Sequence, residues 1–196
     1  MTLRIEALTG AALEAVLDDV ARLRIAVFRD WPYLYDGSEA YERRYLQSYR
    51  DSPGAILAGA FDGDRLVGAA TGTPMEDHAG DFAAPFAATG IELSDIFYCA
   101  ESVLLSGWRG QGAGHRFFNI REAHARQLGR KYVAFCSVIR PADHPARPLD
   151  YRPLDAFWRA RGYAPLQGVV AQFRWKDIGD TSESAKPLQF WIRELT

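Results

Sequence analysis

Glu101-Ser102-Val103-Leu104-Leu105-Ser106-Gly107-Trp108-Arg109-Gly110-Gln111-Gly112-Ala113-Gly114 is the stretch whose reading decides the fold of this 196-residue chain. Val103-Leu104-Leu105 is an apolar, β-prone run of the kind that forms a buried strand. Ser106-Gly107 ends it. Gly110, Gly112 and Gly114 remove side chains at alternate positions, so a ligand can approach the main chain closely. A helical pattern starts near Ala113. Phe117, Ile120, His124 and Leu128 share one stripe, and Gly129 is a stop signal. The free N–H groups at that helix start suit a phosphate, and Arg109 adds a fixed positive charge.

Three phosphate-binding patterns compete for this loop. A Walker loop needs Gly-Lys-Ser/Thr after its spacer, and none follows. A dinucleotide fingerprint needs G-x-G-x-x-G and a later acidic residue, whereas the spacing here is G-x-G-x-G and Arg130-Lys131 is basic. The third pattern is R-x-x-G-x-G/A, met by Arg109-Gly110-Gln111-Gly112-Ala113-Gly114. It resembles the acetyl-CoA loop of the GNAT superfamily of N-acetyltransferases. Phe157-Trp158-Arg159-Ala160-Arg161-Gly162-Tyr163 resembles a second segment of that fold, F-Y-x-x-x-G-F. The competing structural reading is a tight strand–helix turn that binds nothing.

Length and composition set the frame. The chain is 48% hydrophobic and 24% charged, which predicts one globular domain over residues 1–196. A net charge of −2 gives no reason to expect nucleic acid or an anionic membrane as partner. Cys99 and Cys136 lie in apolar runs and read as buried thiols, without metal-site spacing. No apolar run reaches membrane-spanning length, and no signal-peptide pattern opens the chain, so a cytoplasmic location is expected.

The remaining elements follow in order. Leu3 to Leu8 alternates as a first strand, and Thr9 is a candidate cap for a helix carrying Leu13, Val16, Leu17, Val20, Leu23 and Val27. Arg29 to Gly37 breaks it with Pro32 and Gly37. Ser38 to Tyr49 reads as a second helix, with Tyr41, Tyr45 and Tyr49 in register. Gly54 to Phe61 and Arg65 to Thr73 flank Asp62-Gly63-Asp64 as a hairpin. Pro74 to Ser94 is an irregular insertion, with a short helix near Asp81 to Ala88. It is a candidate cover for the acceptor site or a homodimer contact. Ile96 to Leu105 is the central strand, and Lys131 to Val138 is a strand parallel to it, completing a right-handed βαβ unit. Residues 139–153 form a loop with four prolines, a length that usually marks function or disorder. A helix follows Pro153, with Leu154, Phe157 and Trp158 turned inward. Strands Val169 to Lys176 and Leu188 to Leu195 close the chain. This order implies an α/β (α+β) GNAT fold: a central mixed twisted sheet of about seven strands with helices on both faces.

The resemblance implies acetyl-CoA as co-substrate, no metal, and a small-molecule primary amine as acceptor. Backbone groups of Val103, Leu104 and Leu105 would pair with pantetheine like an added strand. Arg109, Gly110, Gln111, Gly112, Ala113, Gly114 and His115 would hold the pyrophosphate. Glu101 is the leading general base, and burial should raise its pKa for that task. The competing reading pairs it with an arginine, such as Arg140 or Arg152. His144 is either a second base or a brace for its loop. Trp31, Tyr33 and Tyr35 either line the acceptor site or close the core. Arg140 and Arg152 are candidates to grip an anionic group on the acceptor. Where many GNAT enzymes place an acidic tyrosine this chain has Trp158, whose indole is no ordinary acid, so Tyr151 is the candidate donor to the leaving thiolate. A non-catalytic acyl-CoA sensor and an interaction domain remain alternatives.

Overall fold

The computed structural model describes residues 3–195. Seven strands make one sheet in the order β1-β2-β3-β4-β5-β7-β6. They are β1 Arg4–Leu8, β2 Ile56–Asp62, β3 Arg65–Pro74, β4 Ile96–Leu104, β5 Tyr132–Val138, β6 Ala164–Trp175 and β7 Ser184–Glu194. Every neighbouring pair is antiparallel except β4 and β5. The helices are α1 Gly10–Glu14, α2 Leu17–Phe28, α3 Glu39–Asp51, α4 Ala79–Phe86, α5 Ala113–Gln127 and α6 Asp155–Ala160. The mixed sheet and its helices match the expected architecture.

Strand alternation sorts the helices onto two faces. Leu57, Ala69 and Val103 pack with Leu13, Val20 and Leu46 from α1, α2 and α3. Their neighbours Ala58 and Ala70 point the other way and pack with Ala113 and Phe117 of α5. The residues of β2 and β3 are mostly small. At Gly72 an added Cβ would lie 2.4 Å from the Phe97 ring, so this glycine is what lets the ring close over the strand.

Several elements differ from the sequence reading. The first helix is broken at Ala15-Val16 into α1 and α2, and Thr9 precedes α1 without a side-chain cap bond. Ser38 does cap α3, accepting from the Tyr41 N–H at 3.3 Å. Strands β6 and β7 each begin several residues before the expected points. Both strands are edge or near-edge elements, and their polar, proline-containing starts do not alternate. Leu154 is 55% exposed rather than inward-facing, while Phe157 and Trp158 do pack on the core. Leu154 is the N-cap residue, ahead of the helix whose inner side carries Phe157 and Trp158. His78 is buried and bonded to Thr73 Oγ1 at 3.0 Å. No helix among the described residues is long and apolar enough to cross a membrane.

Strand β4 carries the feature that positions the site. Ala70 faces Ser102 and Gly72 faces Cys99, so Thr71 alone opposes both Ala100 and Glu101. This is a β-bulge, and it bends the strand and re-aims a side chain. A bulge strands main-chain groups, and Arg121 of α5 collects them. Its guanidinium donates to the carbonyls of Thr71 and Glu101, both at 3.1 Å, and to Ser102 Oγ at 2.9 Å. Arg121 is 1% exposed and has no ion-pair partner among the described residues.

Replacing Arg121 with Met would keep its apolar bulk and orphan two buried carbonyls. The expected cost is about 2–6 kcal/mol, at about 1–3 per unsatisfied group. Urea unfolding of the two proteins measures it, and a loss under about 1 kcal/mol would mean that the bulge holds itself.

Candidate active site

Strands β4 and β5 are paired only through Ile96–Tyr132, Phe97–Val133 and Tyr98–Ala134. From Cys99 onward β4 has no strand partner on that side, so a gap opens toward the C-terminal ends of both strands. Open α/β sheets bind ligands at such ends. The glycine-rich head of α5 follows β4 at this end, and an aromatic cavity lies on one face.

A cradle forms at the head of α5. Gly112 is its N-cap residue, in the left-handed region at φ 76°, with no side chain capping the helix and no acidic residue in the first turn. A Cβ added at Gly110 or Gly112 would meet nothing within 4 Å, so the main chain there faces open space. The first N–H groups of α5 are therefore available to an anion. Arg109, Gln111 and His115 are exposed around them. Arg109 Nε donates to the Leu104 carbonyl at 3.1 Å, which ties the charge to the end of β4. His115 packs against Phe157 and meets Arg161 at 3.2 Å. A coenzyme A pyrophosphate fits these donors, and the unpaired edge formed by residues 103–105 suits an amide-bearing arm.

The cavity lies on the α2–α3 face. Its volume is about 90 Å³, and it is lined from α2 by Arg24 and Phe28, from the following loop by Tyr33 and Tyr35, and from α3 by Tyr41 and Tyr45. Tyr98, Ala100 and Glu101 of β4 and Cys136 of β5 bring it to the strand gap. Tyr98 Oη and Cys136 Sγ are 3.4 Å apart, bridging the two splayed strands. Burial pushes the Cys136 thiol up to about 12, so it is a neutral group and no nucleophile. Cys99 is likewise a free, buried thiol, pushed to about 11 by burial.

Glu101 sits at the bulge, 4% exposed. Its competing partner is neither Arg140 nor Arg152. Arg24 donates to Glu101 Oε2 at 2.6 Å and also to Glu42 Oε2, so one guanidinium bridges two buried carboxylates. The hydroxyls of Tyr45 and Tyr49 both lie 3.4 Å from Glu101 Oε2. Glu101 Oε1 is buried without a hydrogen-bond partner. Burial first, and the Glu101 charge second, push the Tyr45 and Tyr49 phenols well above their usual range, so both hydroxyls stay protonated.

The remaining candidates divide. Tyr33 and Tyr35 do line the cavity. Trp31 does not; its ring packs against His144 and Tyr151, at 5.1 and 5.9 Å between ring centres. His144 accepts from the Ala146 N–H through Nδ1 at 3.2 Å, so it braces its loop. Tyr151 packs on Trp31 under the Arg147 guanidinium and is not among the cavity lining. Arg140 is not available to a ligand's anionic group. It donates to the carbonyls of Pro32 and Tyr33 and forms a forked pair with Asp177 at 2.6 and 3.0 Å. That clamp joins the aromatic loop to the end of β6 because the loop's carbonyls have no strand to pair with. Arg152 is exposed on the Pro-rich loop.

The sequence reading missed Arg24, Glu42 and Arg121. A signal was present: each stands on the buried stripe of its helix. Arg24 lies with Val20, Ala21 and Leu23, Glu42 with Leu46 and Tyr49, and Arg121 with Phe117, Phe118 and Ala125. A charge in a core register must have a partner.

Residues 20–152 match the Acetyltransferase (GNAT) family, which spans the aromatic helices, the bulged strand and the glycine loop. The chain belongs to that family. Solved acetyltransferase structures share its fold at low sequence identity. An N-acetyltransferase from Staphylococcus aureus Mu50 superposes with TM-score 0.61 at 9% identity, covering 100% of both chains. The PaiA N-acetyltransferase from Thermoplasma acidophilum, solved in complex with coenzyme A, gives 0.54 at 12%, covering 99% of both chains. YncA from Salmonella typhimurium, solved with its cofactor acetyl-CoA, gives 0.57 at 11%, covering 100% of this chain and 95% of that one. No curated protein sequence matches significantly.

Removing Arg24 would leave Glu42 and Glu101 buried without their shared counter-charge. Arg24→Met should therefore cost about 3–5 kcal/mol, and adding Glu42→Gln should restore part of that loss. Urea unfolding of the single and double variants checks both; a double variant no more stable than the single one would argue against a shared charge site.

Proposed function

We propose that this acetyltransferase moves the acetyl group of acetyl-CoA to a primary amine of a small molecule, by direct attack within a ternary complex. The observation that carries this reading is the strand gap. It runs from the uncapped, glycine-lined head of α5 to a cavity floored by Glu101. One ligand can reach the gap from the cradle and a second from the cavity, so their reacting atoms meet without an acyl-enzyme. The neutral, buried Cys136 and the unactivated Ser102, whose hydroxyl is bound to Arg121, support the same conclusion.

In this reading the amides of residues 110–115 hold the pyrophosphate, and the free edge of residues 103–105 aligns pantetheine. Arg121 fixes the bulge, and with it the main-chain amides next to the thioester carbonyl. Glu101 receives the acceptor's ammonium and takes its proton, either through the unpartnered Oε1 or by way of the Tyr45 hydroxyl. The amine nitrogen then attacks the thioester carbon; as the carbon–sulfur bond breaks, the nitrogen releases its second proton to solvent and coenzyme A leaves as thiolate. A thiol of ordinary pKa, about 8.5, can take its proton from solvent, so no tyrosine is required at the position of Trp158. Tyr151 is not assigned this step, because it lies outside the cavity lining.

Two substitutions separate cofactor binding from chemistry. Gly112→Val adds a branched side chain where the cradle must stay open, at a left-handed φ. It should abolish the thermal stabilisation by acetyl-CoA, which in the parent protein is about 2–3 kcal/mol at a hundredfold excess over Kd. Glu101→Gln should keep that stabilisation and lower amine-dependent thiol release by about 10²–10⁴-fold. Full stabilisation of a folded Gly112→Val protein would remove the cradle from the mechanism, and full turnover by Glu101→Gln would remove the base.

A further inference from the structure

The cavity's wall and its charge also select the acceptor. Phe28, Tyr33, Tyr41, Tyr45, Phe173 and Trp175 present rings around a space of about 90 Å³. An apolar cavity of about 150 Å³ takes up benzene, so this smaller space, which opens at the strand gap, admits at most one ring. Behind this wall Arg24 bridges Glu42 and Glu101, so the three groups together carry one net negative charge. Glu42 Oε1 and Glu101 Oε1 are both buried and unpartnered, and of the two residues Glu101 is the one that lines the cavity. An ammonium placed there gains a carboxylate and the faces of neighbouring rings, the two features that stabilise a desolvated organic cation.

The same lining disfavours an anionic group. Arg24, the buried cation of the lining, is already bonded to both carboxylates, and Arg140, outside the lining, is held by Asp177 and two carbonyls. The other cation in the lining is Arg174, which is exposed and donates to the Glu183 carbonyl at 3.2 Å. A carboxylate next to the reacting amine would sit inside the ring wall, against Glu101, with no unpaired buried cation to receive it; the free donors there are neutral hydroxyls such as that of Tyr35. A polyamine fares no better: its second and third ammoniums would be buried among rings without a carboxylate each.

We infer that the acceptor is an arylalkylamine, a single ammonium on a short chain bearing an aromatic ring and no carboxylate, with the ammonium on Glu101 and the ring in the aromatic cavity. This rests on the acetyl-transfer reading, and the experiment keeps the two apart. Free-thiol release by the full chain with acetyl-CoA would be measured for phenethylamine, tyramine, phenylalanine, tyrosine and spermidine. The expected kcat/KM for the two arylalkylamines exceeds that for their carboxylate-bearing counterparts and for spermidine by about tenfold or more. Phe173→Ala, which opens one wall on a half-buried strand position, should raise KM for phenethylamine about tenfold and leave KM for acetyl-CoA unchanged. Phenylalanine or spermidine equalling phenethylamine would overturn the inference. So would an unchanged phenethylamine KM in Phe173→Ala. Stabilisation by acetyl-CoA with no release from either arylalkylamine would overturn it too, while leaving the cofactor site intact. Absence of that stabilisation would instead sink the acetyl-transfer reading on which it rests.

Discussion

Everything at the centre of this protein depends on β4 having two unlike edges. Along one edge it pairs with β3 from Phe97 to Leu104, with one bulge. Along the other it pairs with β5 at three residues and then parts from it. Main-chain groups in a protein interior must be satisfied, so a strand that loses its neighbour leaves a row of polar groups seeking a partner. The fold uses this in two ways. The bulge carbonyls are taken up internally by Arg121, and the edge beyond Cys99 has no strand partner. The same strand thus carries a rigid brace and an open edge within a few residues.

The two buried arginines near the bulge solve different problems. Arg121 approaches from the α5 face and binds only oxygens of neutral groups. It couples the helix that carries the glycine cradle to the strand that carries Glu101, so the two ends of the site share one support. Arg24 approaches from the opposite face and binds two carboxylates. Buried ion pairs add little net stability, because desolvation offsets attraction. Their value here is geometric: the Arg24 bridge holds Glu101 in one orientation with one oxygen committed and the other free. An aromatic wall around such a group keeps water out and strengthens whatever charge remains.

The aromatic loop after α2 shows how an irregular segment is fixed without a strand of its own. Its carbonyls at Pro32 and Tyr33 are bound by Arg140, the Tyr33 carbonyl also by Trp175 Nε1, and its Tyr35 makes a bridge with Asp177. Asp177 stays ionised in this setting: burial opposes the charge, but Arg140 and Lys186 overcome it and hold the carboxyl below its usual range. The role assigned to Arg140 from the Pro-rich loop is thereby revised. The residue types suited a ligand's carboxylate, and the chain had a carboxylate of its own.

Local chemistry made much of this legible in the sequence. The glycine loop announced a close main-chain approach at a helix start. Gly129 and Gly162 stopped helices, Asp62-Gly63-Asp64 turned a hairpin, and the apolar runs at 96–105 and 131–138 became the parallel pair. Each depends on backbone sterics or on a period within a few residues, which the sequence alone determines. The partners of buried charges belong to another kind of information. Arg24 meets Glu101 across 77 positions, and Arg140 meets Asp177 across 37. Periodicity could mark Arg24, Glu42 and Arg121 as charges in core registers, but which groups neutralise them depends on how the helices cross the sheet. The bulge likewise has no local signature, because it exists only in the register between β3 and β4. The tertiary structure therefore decided the aim of Glu101, the exclusion of Tyr151 and Arg140 from the cavity, and the aromatic wall of that cavity.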